Sequence, residues 1–304
     1  MTVQPVVVIL GPTAVGKSEL SLNLAEQFQT EIINADSMQL YQGMDIGTAK
    51  LPPIERKGIK HHLLDLYPVT QTVNVASYQE QARAVVSSLR AEQKVPIVVG
   101  GSGLYITALL EDLKFPATDE FIRAALEQRL EIEGAEVLHA ELRVLDHITA
   151  EKIPVSNGRR IVRALEVIEI TKEPYSATLP NALPALTPDL RIGLTRSRAD
   201  LDERVTFRVK QMWQQGFVSE VESLIRIGLK DGVTASRALG YAQIIDYLDG
   251  EISEDEAMSE TIRLTKRFVR KQESWFRRDP AVIWVEADSP ILVETVLNMV
   301  NELR

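Results

Sequence analysis

The chain has 304 residues, a formal net charge of −9 and a pI of about 5.2. A hydrophobic share of 45% and a charged share of 25% are ordinary for a soluble globular protein, with room for one large domain or a core carrying a smaller one. No apolar run approaches the roughly 18 residues of a membrane span. The absence of cysteine excludes disulfides and thiolate metal sites and fits a reducing, cytoplasmic setting.

The chain opens with MTVQPVVVIL, which lacks a basic n-region. It reads as a buried first strand at 6–10, not a signal peptide. Gly11, Pro12, Thr13, Ala14, Val15, Gly16, Lys17 and Ser18 follow and match G-x-x-x-x-G-K-S/T, with a helix expected at 17–28. The glycines let the backbone wrap closely around phosphate, and the helix N-terminus adds partial positive charge. Lys17 is suited to neutralise a terminal phosphate and Ser18 to ligate Mg²⁺. The loop needs only two linked phosphates, so it does not choose between ATP and another diphosphate. A nucleotide or small-metabolite kinase is the default.

A second strand is expected at 31–35, ending at Asp36. An acid at that edge lies where ligands collect in such sheets. Asp36 is suited to hold Mg²⁺ through water, to act as a general base, or simply to cap a turn. Gln39 can pair with an adenine edge or be an exposed loop amide. A helix at 74–93 and a strand at 95–99 follow, closed by Gly100, Gly101, Ser102 and Gly103. Strands alternating with helices predict an α/β fold of the P-loop NTPase type, a parallel sheet with helices on both faces.

The pattern changes near 116. Residues 119–170 are helical in periodicity, and Pro174, Pro180, Pro184 and Pro188 close the section. We read 116–190 as an all-helical insertion and 1–115 with 191–304 as the core. A strand at 191–195, helices at 200–227 and 255–278 and a strand at 282–287 complete it. Residues 261–278 hold seven Lys/Arg and one Glu, a local +6 in an acidic chain. Over a Debye length of about 8–10 Å this patch outweighs the total charge. On that helix Met258, Ile262, Val269 and Phe276 fall on one side, and Arg263, Lys266, Arg270 and Arg277 on another. The basic side is either a track for a nucleic-acid backbone or a solvated face. Trp275 reads as a partial core residue rather than a stacking platform. Arg159 and Arg160 are placed to meet a phosphate, whereas Arg163 suits a structural ion pair. His61 and His62, adjacent on a strand, point to opposite faces and do not make a zinc site with His139 or His147.

Seven segments sharpen the reading: GPTAVGKS, INADSMQLYQGMDIGTAK (33–50), HHLLD (61–65), VVGGSGLY (98–105), RRIVRALEV (159–167), SRALGYAQ (236–243) and RKQESWFR (270–277). In this order they resemble the bacterial tRNA dimethylallyltransferases. The resemblance spans about 6–287. It implies a Mg²⁺-dependent monomer that moves a dimethylallyl group from its diphosphate to N6 of the adenosine beside the anticodon. By matched position it implies that residues Thr13 to Ser18 hold the diphosphate, with Thr13 at the leaving oxygen, and that Asp36 takes the N6 proton. Asp36, Ser37, Met38 and Gln39 would lie against an extruded adenine, with Ser102 standing where the family has Thr. Arg204 or Arg208 would contact the diphosphate. The tRNA would meet Arg123 and three segments: Ser156, Asn157, Gly158, Arg159 and Arg160; Arg237, Ala238, Leu239, Gly240, Tyr241 and Ala242; and Arg270, Lys271, Gln272, Glu273, Ser274, Trp275, Phe276 and Arg277. Besides the kinase, the competing readings are an adenylate isopentenyltransferase acting on free AMP or ATP, and a P-loop regulatory ATPase or RNA-binding module.

Overall fold

A computed structural model describes residues 3–113, 115–116, 118–175 and 188–304. In chain order the first elements are β1 (Val6–Leu10), α1 (Lys17–Gln27), β2 (Ile32–Asn34), β3 (His61–His62), α2 (Val75–Ala91), β4 (Ile97–Gly100) and α3 (Gly103–Leu110). Four helices follow: α4 (Glu120–Glu133), α5 (Ala135–Leu145), α6 (His147–Lys152) and α7 (Gly158–Thr171). The chain then runs through β5 (Asp189–Thr195), α8 (Arg198–Gln214), α9 (Phe217–Arg226), α10 (Tyr241–Leu248), α11 (Glu254–Phe276), β6 (Val282–Glu286) and α12 (Leu292–Leu303).

The strands form one sheet of order β3-β2-β4-β1-β5-β6, and every pairing is parallel. β1 is apolar without a break because both its faces are covered. Val7 and Ile9 pack with Leu20 and Leu24 of α1 and Val296 and Val300 of α12. Val6, Val8 and Leu10 pack on the opposite face with Tyr78, Ala82 and Val86 of α2 and Ile106 and Leu109 of α3. A third apolar cluster joins Tyr41 and Met44 to Met212, Phe217, Val221 and Tyr241, above the sheet's C-terminal edge. The chain leaves β1 for β2 past the place that β4 later fills, so β1 sits at the switch point where this class of sheet binds ligands.

Compact grouping of the chain gives one unit of Met1–Glu111 with Pro184–Arg304 and a second of Asp112–Leu183. The second unit is α4 to α7 around Leu126, Leu138, Leu142, Ile161 and Leu165. The starts of α4, α6 and α7 are capped by side chains that accept orphan N–H groups: Asp119 from Phe121 and Ile122, Asp146 from Thr149, and Asn157 from Arg160. Buried His139 bonds through Nε2 to the region of Ala150 O and Ile153 O, a structural role.

The expected helix at 200–227 is two helices, because Gly216 at φ 96° breaks it between α8 and α9. α3, α10, α12 and the two-residue β3 come in addition to the predicted elements. Of the closing prolines, Pro180 and Pro184 lie outside the described residues, while Pro188 accepts a hydrogen bond from Val6 N at the start of β1. Among the described residues no helix is long and apolar enough to cross a membrane.

Candidate active site

The loop after β1 takes backbone conformations open mainly to glycine: Gly11 at φ 141° and Gly16 at φ 117°, with Ala14 at φ 65° between them. A Cβ on Gly11 would lie 2.8 Å from Leu194 O. Side chains from distant elements brace the loop. Gln272, buried on α11, accepts from Thr13 N at 2.9 Å and donates to Gly101 O at 3.0 Å. Arg196 donates to Val15 O at 3.0 Å, and Arg204 to Ala14 O at 2.9 Å. Arg208 donates to Thr13 Oγ1 at 3.3 Å. The structure thereby separates the two α8 arginines: Arg208 lines the cavity, whereas the exposed Arg204 holds the outside of the loop.

Lys17 Nζ folds back to donate to Gly11 O at 3.0 Å and Pro12 O at 2.7 Å. Burial and the Arg208 guanidinium push its pKa down to about 7, against a smaller upward pull from Asp36. Arg208 is itself shifted down, by burial and then by Arg204. Cations that crowd one another in this way gain most when an anion arrives. Ser18 is exposed in the first turn of α1.

Asp36 borders the same cavity. Buried Asn34 fixes its backbone, accepting from Asp36 N at 2.9 Å and donating to Asp36 O and Leu63 O, both at 2.9 Å. One Asp36 carboxylate oxygen accepts from Met38 N at 2.9 Å, so the turn role and the site role coexist in one side chain. Burial raises the Asp36 pKa, opposed by the Met38 N–H and by Lys17. Ser102 Oγ accepts from Ser37 N at 3.2 Å, which joins the loops after β4 and β2. Gln39 Nε2 donates to Thr48 O, so its amide is tied to the 45–50 loop. β4 lies between β1 and β2, and it ends in Gly100 and Gly101. A Cβ on Gly100 would lie 2.2 Å from Ala35 O and one on Gly101 2.2 Å from Gln272 Nε2, so both positions need glycine for close packing; Asp36 and Lys17 border one cavity of about 300 Å³.

The cavity is polar at the Lys17, Arg208 and Gln272 end and apolar along Val205, Val209, Met212, Phe217 and Phe268. Thr261, Thr265, Phe268 and Gln272 line it from one stripe of α11. An anion clamp, an apolar slot and a carboxylate facing one space suit transfer of an apolar group away from a diphosphate.

The IPP transferase family model matches residues 39–279. The chain belongs to the IPP transferase family. It is 57% identical to a protein named tRNA dimethylallyltransferase from Thermobifida fusca, over 98% of this chain and 94% of that one. A Streptomyces coelicolor protein of the same name is 52% identical over 97% and 96%. The solved tRNA isopentenylpyrophosphate transferase of Bacillus halodurans superposes with a TM-score of 0.74 at 34% identity, covering 99% of this chain and 96% of that one. A eukaryotic dimethylallyltransferase solved acting on tRNA shares the fold, with a TM-score of 0.77 at 23% identity over 93% of this chain and 74% of that one.

The positions that family resemblance assigns to tRNA fall into distinct settings. On α11 and the residues after it, Arg267, Arg270, Lys271, Ser274, Trp275 and Arg278 line one shallow depression. This is not the stripe of Arg263, Lys266, Arg270 and Arg277 that the spacing predicts. Arg263 is paired with Glu260 at 2.6 Å, and the Arg277 guanidinium lies 4.9 Å from the Trp284 ring centre. Gln272 and Phe276 point inward, and Glu273 pairs with Arg198. Exposed Arg237, half-buried Leu239 and buried Ala238 and Tyr241 all line the cavity, whereas buried Gly240 and half-buried Ala242 do not.

In the helical unit, Ser156, Arg159 and Arg160 are exposed, Asn157 is the cap of α7, and Gly158 packs on Leu130. Arg123 is held at 2.6 Å by Glu166, which is fully buried and also bound by Arg163. Burial alone would raise the Glu166 pKa, but hydrogen bonds from Arg123, Arg163 and Asp119 N leave it below the usual range. Arg123 thus has a structural partner.

Proposed function

We propose that the protein transfers a dimethylallyl group from dimethylallyl diphosphate to N6 of the adenosine 3′-adjacent to the anticodon, in tRNAs that read codons starting with U. The products are N6-dimethylallyladenosine and diphosphate. The observation that carries this reading is the one cavity bordered by Lys17, by Asp36 and by the apolar side chains Val205, Val209, Met212, Phe217 and Phe268.

In this reading the P-loop, Lys17 and Arg208 bind the diphosphate, and the Thr13 hydroxyl is directed at the oxygen that bridges to the allyl carbon. Ser18 would hold Mg²⁺, an ion that accepts few protein ligands and completes its shell with phosphate oxygens and water. When bound it supplies positive charge opposite the leaving diphosphate. The apolar wall takes the prenyl chain and excludes water. The adenine leaves its stack, at a cost of a few kcal/mol, and enters beside Asp36. N6 forms a bond to the allyl C1 as the C1–O bond breaks, with its electron pair going to diphosphate. An exocyclic adenine amine is a weak nucleophile because its lone pair is delocalised into the ring. Asp36 accepts the N6 proton as the bond forms, an assistance of roughly 10²–10⁴-fold.

The exposed Arg267, Arg270, Lys271 and Arg278 favour a polynucleotide acceptor over free AMP, which would not reach them. The enzyme acts as a cytoplasmic monomer in this reading. The test is incubation with Mg²⁺, dimethylallyl diphosphate and unmodified tRNA, followed by mass analysis of the nucleosides. Parallel reactions contain AMP, or ATP with small acceptors. Prenylated tRNA is expected; prenylated AMP alone, or phosphoryl transfer, overturns the proposal.

A further inference from the structure

The loop that carries Gly47, Thr48 and Ala49 forms one wall of the cavity, yet it has little secondary structure of its own. Its hydrogen bonds go largely to one carboxylate. Glu220, half-buried on α9, accepts from Asp45 N at 3.2 Å and Ile46 N at 2.7 Å through Oε2. Through Oε1 it accepts from Gly47 N at 3.3 Å and from the Tyr241 hydroxyl at 2.6 Å. Tyr241 lines the same cavity and packs against Gly47, whose added Cβ would lie 2.5 Å from the Tyr241 ring. Beyond the loop, Thr48 O receives the Gln39 side-chain amide at 3.1 Å. Lys50 pins the loop's far end, bonded to Asp45, Asp65 and Tyr41 O. A Cβ on Gly47 would come within 2.2 Å of Phe217, so the loop has no room to shift toward α9.

We infer that Glu220 is a positioning residue for the acceptor side of the site. It joins the 45–47 loop to Tyr241 and, through Thr48, sets the direction of Gln39 beside Asp36. Three N–H groups and a hydroxyl converging on one carboxylate are more than α9 needs for its own stability. The diphosphate end is braced independently, by Gln272, Arg196 and Arg204. The inference rests on the transfer reaction proposed above and divides its two substrates: Glu220 governs the tRNA and not the diphosphate.

The test is steady-state kinetics of Glu220→Ala, Glu220→Gln and Tyr241→Phe with tRNA and dimethylallyl diphosphate. Thermal denaturation and direct titration of the diphosphate accompany it. Glu220→Ala is expected to lower kcat/KM for tRNA by about 10²-fold, with diphosphate affinity within twofold of wild type. Glu220→Gln keeps one acceptor oxygen for Asp45 and Ile46 and can donate to the Tyr241 hydroxyl, but its NH2 cannot accept from Gly47 N, so it restores part of the activity that Glu220→Ala loses. Tyr241→Phe, which removes a single bond, costs less than Glu220→Ala. Should Glu220→Ala fail to fold, the other two variants still decide. An unchanged kcat/KM for tRNA, or an equal loss of diphosphate affinity, overturns the inference while wild-type turnover leaves the reaction standing. Absence of wild-type turnover overturns both.

Discussion

Lys17, at the start of α1, and Asp36, just beyond β2, border one cavity, and each counteracts what burial does to the other. Burial drives the lysine down and the carboxyl up, while their mutual attraction acts in the opposite sense on both. Burial thus disfavours the charged form of both groups, and an anion bound at the loop would favour the charged lysine.

Asp36→Asn should uncouple chemistry from binding. The substitution is expected to reduce kcat by about 10²-fold or more, with dimethylallyl diphosphate still bound. The folded-state pKa of Asp36 lies above its ordinary 3.8, so the native protein holds the proton more tightly than the unfolded chain. Stability associated with this group thus falls as the pH rises through that window, and the loss is complete above it. Removing the ionised form should leave the variant at least as heat-stable as wild type at pH 7.5, by thermal denaturation. Normal turnover in the variant would remove Asp36 from the role of base.

Diphosphate binding should depend on pH through Lys17. Its pKa stands near 7 against an ordinary 10.5. Between those values the unfolded chain binds more protons than the native one, so the cost of charging Lys17 is greatest below pH 7 and fades as the pH rises. A bound anion requires the charged form and should draw a proton onto it. Calorimetry in buffers of different ionisation heat should report proton uptake at pH 8, with affinity falling by up to roughly tenfold per unit above pH 7. Lys17→Met should bind weakly without that uptake.

The strand, loop and first helix were legible because their signals are local: five apolar residues buried on both faces, then glycines at positions that need unusual φ. The braces were not. Gln272 meets Thr13 across 259 residues of chain, and nothing near either residue announces the other. Asn34 and Glu220 likewise act on backbone atoms, which leave no pattern in side-chain order. The basic depression on α11 was missed for a different reason. The helix's buried face includes the polar Thr261 and Gln272, so a phase fixed on apolar residues alone drew attention to Arg263 and Arg277 and passed over Arg267 and Arg278.

Gln272 offers a direct check on that distinction. Family resemblance assigns it to tRNA, whereas its side chain is buried and bonded to Thr13 N and Gly101 O. Gln272→Ala leaves two backbone groups without partners, at a cost of about 1–3 kcal/mol each if water does not replace it. The variant should melt several degrees lower and bind dimethylallyl diphosphate roughly tenfold more weakly, since the loop loses its brace. Its KM for tRNA, measured at saturating diphosphate, should change little. A selective rise in that KM would return Gln272 to the tRNA surface.

The basic depression on α11 can be separated from the paired arginine on the same helix by salt dependence. Arg270 and Lys271 are exposed and line the depression, whereas Arg263 is held by Glu260. Each cation that neutralises a phosphate releases counterions and contributes about 0.7–0.9 to the slope of log affinity against log salt. Arg270→Ala with Lys271→Ala should weaken tRNA binding and flatten that slope by roughly 1.4–1.8 if both touch phosphate. Arg263→Ala should leave the slope close to wild type, because its charge is already matched on the protein. Diphosphate affinity should be untouched in both, as the patch is separate from the P-loop cavity. Equal slopes for the double variant and wild type would assign the depression to solvent. The polynucleotide acceptor would then have to be held by other cations, with Arg237 at the cavity rim the first to substitute.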